Sequence, residues 1–247
     1  MAKYIILDTE TTGVDEEDRI IQLGYMVLSS TGIEVYNELC SSEIDIKYPA
    51  METHGIVPQM LENKPTCKQT KAYQKLLELN TDENYLIIHN APFDLTMLEK
   101  EGFEVSMKVI DTLRVARHIF PDEEAHRLQF FRYKMEIYKQ EDEEAKKLGI
   151  VVKAHDAIGD VLILKLFLSK LKEEVKKRYP NENPVEKMVE LTNTPVVIKK
   201  LNFGKYKGET LEDIALKDKQ YLKWVLKSMD TINDDLRYSI NSILESW

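Results

Sequence analysis

Asp8 and Glu10 follow a run of three apolar residues, Ile5 to Leu7, close to the start of the chain. In an extended segment the side chains at i and i+2 point the same way, so these two carboxylates stand side by side and repel. Asp94 falls in the first turn of a helix predicted over residues 91–102, directly after an apolar strand. Asp160 sits among Ile158, Val161, Leu162 and Ile163, where an ionised carboxylate is costly unless it is paired or bound to a metal. His155 precedes Asp160 by five residues. Singly, each has an ordinary reading: Asp94 as a helix N-terminal acid, His155 as a cap or surface residue, Asp160 as an exposed helical position. Jointly, four acids and a histidine on three buried elements point to two hard divalent cations, and oxygen-only ligands favour magnesium or manganese over zinc. Two such ions about 3.5–4 Å apart stabilise both the attacking and the leaving oxygen of an in-line phosphoryl displacement. A histidine, with an ordinary pKa of about 6.5, suits the role of general base for the attacking water.

The elements that must position these groups follow from the apolar pattern. Residues 3–7, 19–30, 32–40, 84–90 and 108–112 read as strands, with a short Ser30-Thr31-Gly32 connection forming a hairpin. Residues 67–79, 91–102, the segment after 112 to about Phe120, 126–135 and 141–149 read as helices, and 53–61 as a short turn interrupted by Pro58. The clearest helix is 157–179, apolar in its first half and rich in Lys and Arg at its C-terminal end, which suits the helix dipole. Residues 180–195 hold three prolines and three asparagines and read as a linker with at most one helical turn. Residues 196–247 form a separate block, a short strand pair followed by helices, with Thr210 and Asp213 placed as a capping box.

"DTETTG" (8–13), "HNAPFD" (89–94) and "HDAIGD" (155–160) together resemble, in order and separation, the three motifs of the DEDD, or DnaQ-like, 3′-to-5′ exonucleases. The histidine with four residues between it and the last aspartate resembles the DEDDh branch; the sister branch has a tyrosine at the place of Asp156. "HRLQFF" (126–131), "AHDAIGDVLIL" (154–164) and the C-terminal "FGKYKG" resemble the exodeoxyribonuclease X group of that family. The resemblance implies an α/β, RNase H-like fold with a mixed five-stranded sheet flanked by helices, plus a small C-terminal α+β module. It divides the chain into a nuclease domain at 1–178, a linker at 179–195 and the module at 196–247. It further implies Asp8 as the ligand shared by two Mg2+ ions (Mn2+ able to substitute), Glu10 and Asp160 on the nucleophile-side ion, Asp94 on the second, and His155 as the base. The backbone at Thr11 and Thr12 would hold the terminal 3′-hydroxyl. Met51, His54 and Ile56 would pack on the terminal base, with Asn90 and Phe93 on the same lip. The implied substrate is nucleic acid with a free 3′ end, DNA favoured over RNA. The family often forms dimers, although no feature of this sequence requires a homodimer.

The rest of the composition bounds these expectations. A net charge of −9 argues against a large electropositive surface, although bound cations invert the field at an acidic site. Cys40 and Cys67 fit no metal or redox spacing, and there is no apolar stretch long enough to span a bilayer; with no signal-like N-terminus, the expected location is the cytoplasm. A local excess of positive charge lies between Val196 and Gly208. Lys199, Lys200, Lys205 and Lys207 interleave there with Phe203 and Tyr206 and meet no acid. Lys205, Tyr206 and Lys207 are therefore candidates for nucleic-acid contact, against the reading of a solvated hairpin whose aromatics pack inward. Tyr221, Leu222, Trp224 and Val225 read as the module's own core. Rival classes fit less well. A haloacid-dehalogenase-like phosphatase needs an aspartate at the place of Glu10 and a later acid pair; an aspartic protease needs a glycine directly after Asp8-Thr9. Within the family, an exoribonuclease or oligonucleotide-trimming enzyme is the alternative, and an inactive nuclease fold used for binding the alternative of another class.

Overall fold

The computed structural model describes residues 1–150, 156–229 and 232–245. Five apolar segments form one mixed sheet: β1 (Tyr4–Thr11), β2 (Ile20–Ser29), β3 (Gly32–Leu39), β4 (Tyr85–Ile88) and β5 (Lys108–Asp111), in the order β3-β2-β1-β4-β5. β1 runs antiparallel to β2 and parallel to β4, and β5 is parallel to β4. Around the sheet lie α1 (Tyr48–His54), α2 (Pro58–Leu61), α3 (Lys71–Leu79), α4 (Ala91–Lys100), α5 (Thr112–Ile119), α6 (Leu128–Lys134), α7 (Glu141–Leu148), α8 (Ala157–Arg178) and α9 (Pro184–Asn193). None of the described helices is long and apolar enough to cross a membrane.

β1 is the hub because both its faces are covered, which is why Ile5, Ile6 and Leu7 read as a continuous apolar run. Ile6 packs with Met26, Ile87 and Ile110 against α5, α6, α8 and α9, while Ile5 and Leu7 pack on the opposite face against α3 and α4. Period-two alternation then carries Asp8 and Glu10 to the α8 face and Thr9 to the α4 face.

Gly24 of β2 lies opposite Asp8. A Cβ there would stand 2.9 Å from the Ala157 Cβ and 3.0 Å from the Ile158 nitrogen, so the missing side chain is what lets the first turn of α8 descend onto the sheet. Gln22 fastens that turn. Its Oε1 accepts from the Ala157 N–H at 3.3 Å, and its Nε2 donates to Asp156 Oδ1 at 2.6 Å and Asn37 Oδ1 at 2.9 Å.

The stretch expected as a linker is helical from Pro184 to Asn193, with Val185, Met188 and Leu191 buried in the same core as α8. Its start signal was present: Asn183 Oδ1 accepts from the Val185 and Glu186 N–H groups, and Pro184 occupies the first helical position, where its missing N–H costs nothing. The Thr192 hydroxyl accepts from the Asp111 N–H at 2.9 Å, tying α9 to the end of β5. The chain divides into two compact units between Thr192 and Asn193.

The second unit contains α10 (Leu211–Ser228) and α11 (Asp234–Glu245) around Leu201, Leu211, Ile214, Leu222, Val225, Leu236 and Ile240. The expected strand pair is reduced to one antiparallel bridge, Lys200 with Thr210, closed by the Leu201 N–H to Glu209 O at 3.0 Å. Thr210 caps α10 as expected, accepting from the Asp213 N–H at 3.1 Å. Trp224 departs from its expected place in the core. Leu222 and Val225 are buried, but Trp224 points away from both and is 53% exposed. At 100° per residue a helix cannot bury positions 222, 224 and 225 on one narrow face.

Candidate active site

Asp8, Glu10 and Asp160 come together. Each offers a carboxylate oxygen, and these oxygens lie within 4.8 Å of one another. Asp160 reaches the strand because it occupies the first turn of α8, held down over Gly24. Asp94 arrives from the opposite side. The parallel register sets Ile87 of β4 beside Ile6, so the chain leaving β4 enters α4 level with the end of β1. There Asp94 Oδ1 accepts from the Thr9 N–H at 3.0 Å and the Thr9 hydroxyl at 2.7 Å. The sheet and its two flanking helices thus converge the acids at the carboxyl ends of the parallel strands, where open α/β sheets form their crevices.

The site is electrostatically unstable by itself. Neither Asp8 nor Glu10 has a hydrogen-bond or ion-pair partner for its carboxylate among the described residues. Burial pushes the Asp8 carboxyl well above the usual range, and the charges of Asp94, Glu10 and Asp160 push it further. Glu10 is raised to about 8, by burial first and then by Asp160 and Asp94. Burial also raises Asp94, against the lowering effect of its two hydrogen bonds from Thr9. Two unit charges 4.8 Å apart repel by roughly 3 kcal/mol at an effective dielectric near 20. Convergent, partly buried, oxygen-only donors that repel each other fit hard divalent cations, which would remove that repulsion.

Two supports lie around the acids. Gln129 Nε2 donates to Asp160 Oδ1 at 2.8 Å; its Oε1 accepts from Arg132 Nη1 at 3.2 Å; and Arg132 is clamped by the buried Glu141, with Nε 2.8 Å from Oε2. Asp111, at the end of β5, accepts on Oδ1 from the Asn90, Leu113 and Arg114 N–H groups, which holds Asn90 in its left-handed conformation (φ 76°) at the entry to α4. Asp111 Oδ2 is buried without a partner, burial raises this carboxyl, and its charge raises Asp94 in turn. Asp156 adds a further negative charge felt by both Asp8 and Glu10. Sequence reasoning did not single out Gln22, Gln129 or Asp111. The signal for Asp111 was an acid at a strand-to-helix junction, followed by Thr112.

His54 is a clip rather than a free base. Its Nδ1 accepts from the Ile56 N–H at 3.0 Å, so Nε2 carries the proton and donates to the Thr11 carbonyl at 3.1 Å. Burial lowers its pKa, which keeps the ring neutral. His89 is likewise committed: its Nε2 donates to the His126 carbonyl at 2.9 Å, and burial pushes it down to about 4. Two clefts meet at His54. One of about 420 Å³ is lined by Glu10, Thr11, Gly13, Val14, Lys47, His54 and Phe93. The other, of about 860 Å³, is lined by Gln22, Asn37, His54, Ile56, Lys64, Ile150 and Asp156. Of the expected substrate contacts, Thr11, His54, Ile56 and Phe93 stand on these walls, whereas Thr12, Met51 and Asn90 line neither. Thr12 is fully buried, its N–H donating to Arg19 O and its hydroxyl to Asp18. Met51 packs beside Ile21 and Ile56. His155 lies outside the described residues. In the second unit Lys205 pairs with Asp218 at 3.3 Å and Tyr206 donates its hydroxyl to the same carboxylate at 2.8 Å, while Lys207 stays exposed.

Comparison with known proteins agrees with this geometry. A family model described as exonuclease matches residues 5–167, and one described as exodeoxyribonuclease X-like C-terminal matches residues 201–230. The chain is 25% identical to exodeoxyribonuclease 10 of Escherichia coli (strain K12), over 98% of both chains. It is 35% identical to the DNA polymerase III subunit epsilon of Rickettsia prowazekii (strain Madrid E), over 48% of this chain and 56% of that one. Exonuclease X in complex with 5′ overhanging duplex DNA shares the fold, with a TM-score of 0.54 and 20% identity over 78% of this chain and 100% of that one. So does the zinc-bound E. coli exonuclease I complex with single-stranded DNA, at 0.52 and 20% over 73% and 42%. With the exonuclease model spanning well over half of the sequence and all of the acidic site, the chain belongs to the exonuclease family, hydrolytic nucleases of the 3′-to-5′ type.

Proposed function

We propose that the protein hydrolyses phosphodiester bonds from the 3′ end of DNA, at single-stranded ends, and releases nucleoside 5′-monophosphates. The observation that carries this reading is the convergence of Asp8, Glu10 and Asp160 within 4.8 Å, all partly buried, with burial and the neighbouring carboxylates raising Asp8 and Glu10. Asp8 would be shared by two Mg2+ ions, Glu10 and Asp160 would hold the nucleophile-side ion, and Asp94 the other, with Mn2+ able to substitute. Bound there, such ions supply Lewis-acid stabilisation of the attacking and leaving oxygens and acidify a water nucleophile.

The chain's own groups do the rest. His155, in the DEDDh position, takes the proton of the attacking water. Gln129 and Arg132 fix the orientation of Asp160, and Thr9 that of Asp94. The 420 Å³ cleft beside Glu10 receives the terminal nucleotide, with the Phe93 ring on its wall available to stack on the base. The clip from His54 to the Thr11 carbonyl keeps the turn after β1 from moving away from the sugar. Preference for DNA is supported by the relative named exodeoxyribonuclease, which is similar along nearly the whole chain.

A 5′-labelled DNA single strand and its RNA counterpart, each with magnesium and with or without chelator, test this reading. The expected result is metal-dependent shortening of the DNA from its 3′ end, stopped by a 3′ block and indifferent to a 5′ block. Equal or faster shortening of the RNA overturns the assignment to DNA. A folded protein that shortens neither overturns the reading as a whole. His155→Ala is expected to slow turnover roughly 10²–10⁴-fold.

A further inference from the structure

The second unit carries nine Lys and Arg against eight Asp and Glu in a chain of net charge −9, and its positive charge is unevenly placed. Asp218 interrupts α10 with a non-helical backbone (φ −153°, ψ 63°) and accepts from the Tyr221 N–H at 3.2 Å, so it caps a second helical segment over residues 219–228. That segment and the residue after it, "KQYLKWVLKSM" (219–229), hold three lysines and no acid. Lys219, Lys223 and Lys227 recur every four residues and form one row, about 6 Å apart along the axis. Gln220 and Trp224 form the adjoining row, and of these five only Lys219 is half-buried, the others being exposed. Leu222 and Val225 face the unit's own core on the other side.

Two of the preceding lysines are already committed. Lys205 is paired with Asp218 and Lys217 with Glu209, and both ammonium groups lie over the Tyr206 ring, at 4.7 and 5.0 Å. Lys223 and Lys227 have no acidic partner among the described residues. Trp224 is 53% exposed and is supported on one side by the Tyr221 ring, 5.6 Å between centroids. An exposed indole braced by a second ring, beside a row of unpaired ammonium groups, matches a polyanion whose subunits carry flat apolar faces: the lysines neutralise successive phosphates and the indole stacks on a base.

We propose that the face of α10 formed by Lys219, Lys223, Trp224 and Lys227 binds single-stranded DNA away from the 3′ terminus. The proposal rests on the reading of the protein as a nuclease acting on DNA strands, and it moves the contact of this unit from the hairpin around Tyr206 to the helix.

Fluorescence anisotropy of the full-length chain with 5′-labelled strands of about 6 and about 25 nucleotides, in chelator so that no turnover occurs, tests it. The longer strand is expected to bind more tightly. Trp224→Ala is expected to weaken binding of the longer strand about tenfold and Trp224→Phe much less, since the phenyl ring retains stacking. Lys223→Glu with Lys227→Glu is expected to reduce the slope of log affinity against log salt by about 1.4, from about 0.7 per phosphate neutralised on a single strand. These positions are on the surface, so circular dichroism and Tm should stay at wild-type values; if Trp224→Ala fails that control, the charge variant decides alone. Unchanged affinity and salt slope in folded variants overturns the proposal. So does a dimer that dissociates on Trp224→Ala with DNA affinity unchanged, because the face then belongs to a second copy. A wild-type protein that binds as expected but shortens no strand refutes the nuclease reading and leaves this surface standing.

Discussion

Two clusters of three acids stand at the two ends of the turn that begins with "DTETTG", and they behave oppositely. Asp15, Glu17 and Asp18 have carboxylate oxygens within 4.8 Å of one another, as do Asp8, Glu10 and Asp160. The first cluster holds the Lys47 ammonium, at 2.7, 2.9 and 2.7 Å from the three carboxylates. Burial alone would raise Asp18, but hydrogen bonds from Lys47, the Asp15 N–H and the Thr12 hydroxyl outweigh it, and the carboxyl lies below its usual range. In the second cluster burial and the neighbouring carboxylates all act to raise Asp8 and Glu10. Proximity of acids is therefore uninformative by itself. What distinguishes the two is the direction of the pKa shift: down where the chain sets an ammonium among the carboxylates, up where burial and like charge dominate.

The contrast is broken most severely at its centre. Asp8→Asn keeps the shape of the side chain and removes the charge that both ions would share. Turnover is expected to fall by about 10³-fold or more, the equivalent of several kcal/mol of lost charge stabilisation. Without metal, the same variant should melt no lower than wild type, because it removes repulsion. Turnover near wild type, measured as 3′ shortening, would show that the acids are not the reactive centre.

Second in size is Gly24→Ala, which leaves every acid in place and alters only their spacing. The new Cβ would meet the Ala157 Cβ at 2.9 Å and backbone of α8 at 3.0 Å, so the helix must lift and take Asp160 away from Asp8. A displacement near 1 Å is expected to lower kcat roughly 100-fold, with a stability loss of about 1–3 kcal/mol from overpacking. Ala157→Gly in the same chain should restore part of both. Full activity in the single variant would mean that the approach of α8 is not what sets the carboxylate spacing.

These two variants also mark what the sequence could and could not disclose. Asp8, Glu10, Asp94 and Asp160 were legible because acids inside apolar periodicity violate a simple rule of burial. The sheet was legible because its strands are apolar runs bounded by turn residues. Gln22, Gln129 and Asp111 were not, because a polar residue that supports another side chain has no periodicity of its own; its role exists only once β2, α6 and β5 are placed. α9 was misread because Asn183 and Pro184, which start a helix, are the same residue types that fill a loop. Trp224 was misread for the converse reason: large aromatics are usually core, and only the register of α10 turns this one outward.

The third expectation uses pH to separate the clusters. Asp8, Glu10 and Asp94 have folded-state pKa values above the ordinary range, so the folded protein holds protons that the unfolded chain releases. Their favourable contribution is complete below about pH 4 and is lost as pH rises toward about 8, the value for Glu10. Metal-free protein should therefore lose a few kcal/mol of stability between pH 5 and 9. Ions compete with those protons, so the gain in Tm on adding magnesium should grow over the same interval. A gain that is constant with pH would mean that the ions do not replace protons on these carboxylates.

Asp18 gives the smallest effect and the opposite sign. Its pKa is lowered in the folded protein, so its contribution is present above the ordinary carboxylate range near pH 4 and is lost as pH falls further. Asp18→Asn keeps one acceptor oxygen, enough for the Asp15 N–H, but it sets an NH2 group toward the Thr12 hydroxyl and no longer offers a charge to Lys47, which keeps Asp15 and Glu17. The expected cost is roughly 1 kcal/mol, or about 2–4 °C in Tm, at pH 7 and vanishing below pH 3, with turnover within a few-fold of wild type. If turnover instead falls with that of Asp8→Asn, the lysine-filled cluster is coupled to the chemistry through the turn between them. Thr12, whose hydroxyl donates to Asp18 and whose neighbour Thr11 is gripped by His54, is the residue through which that coupling would have to pass.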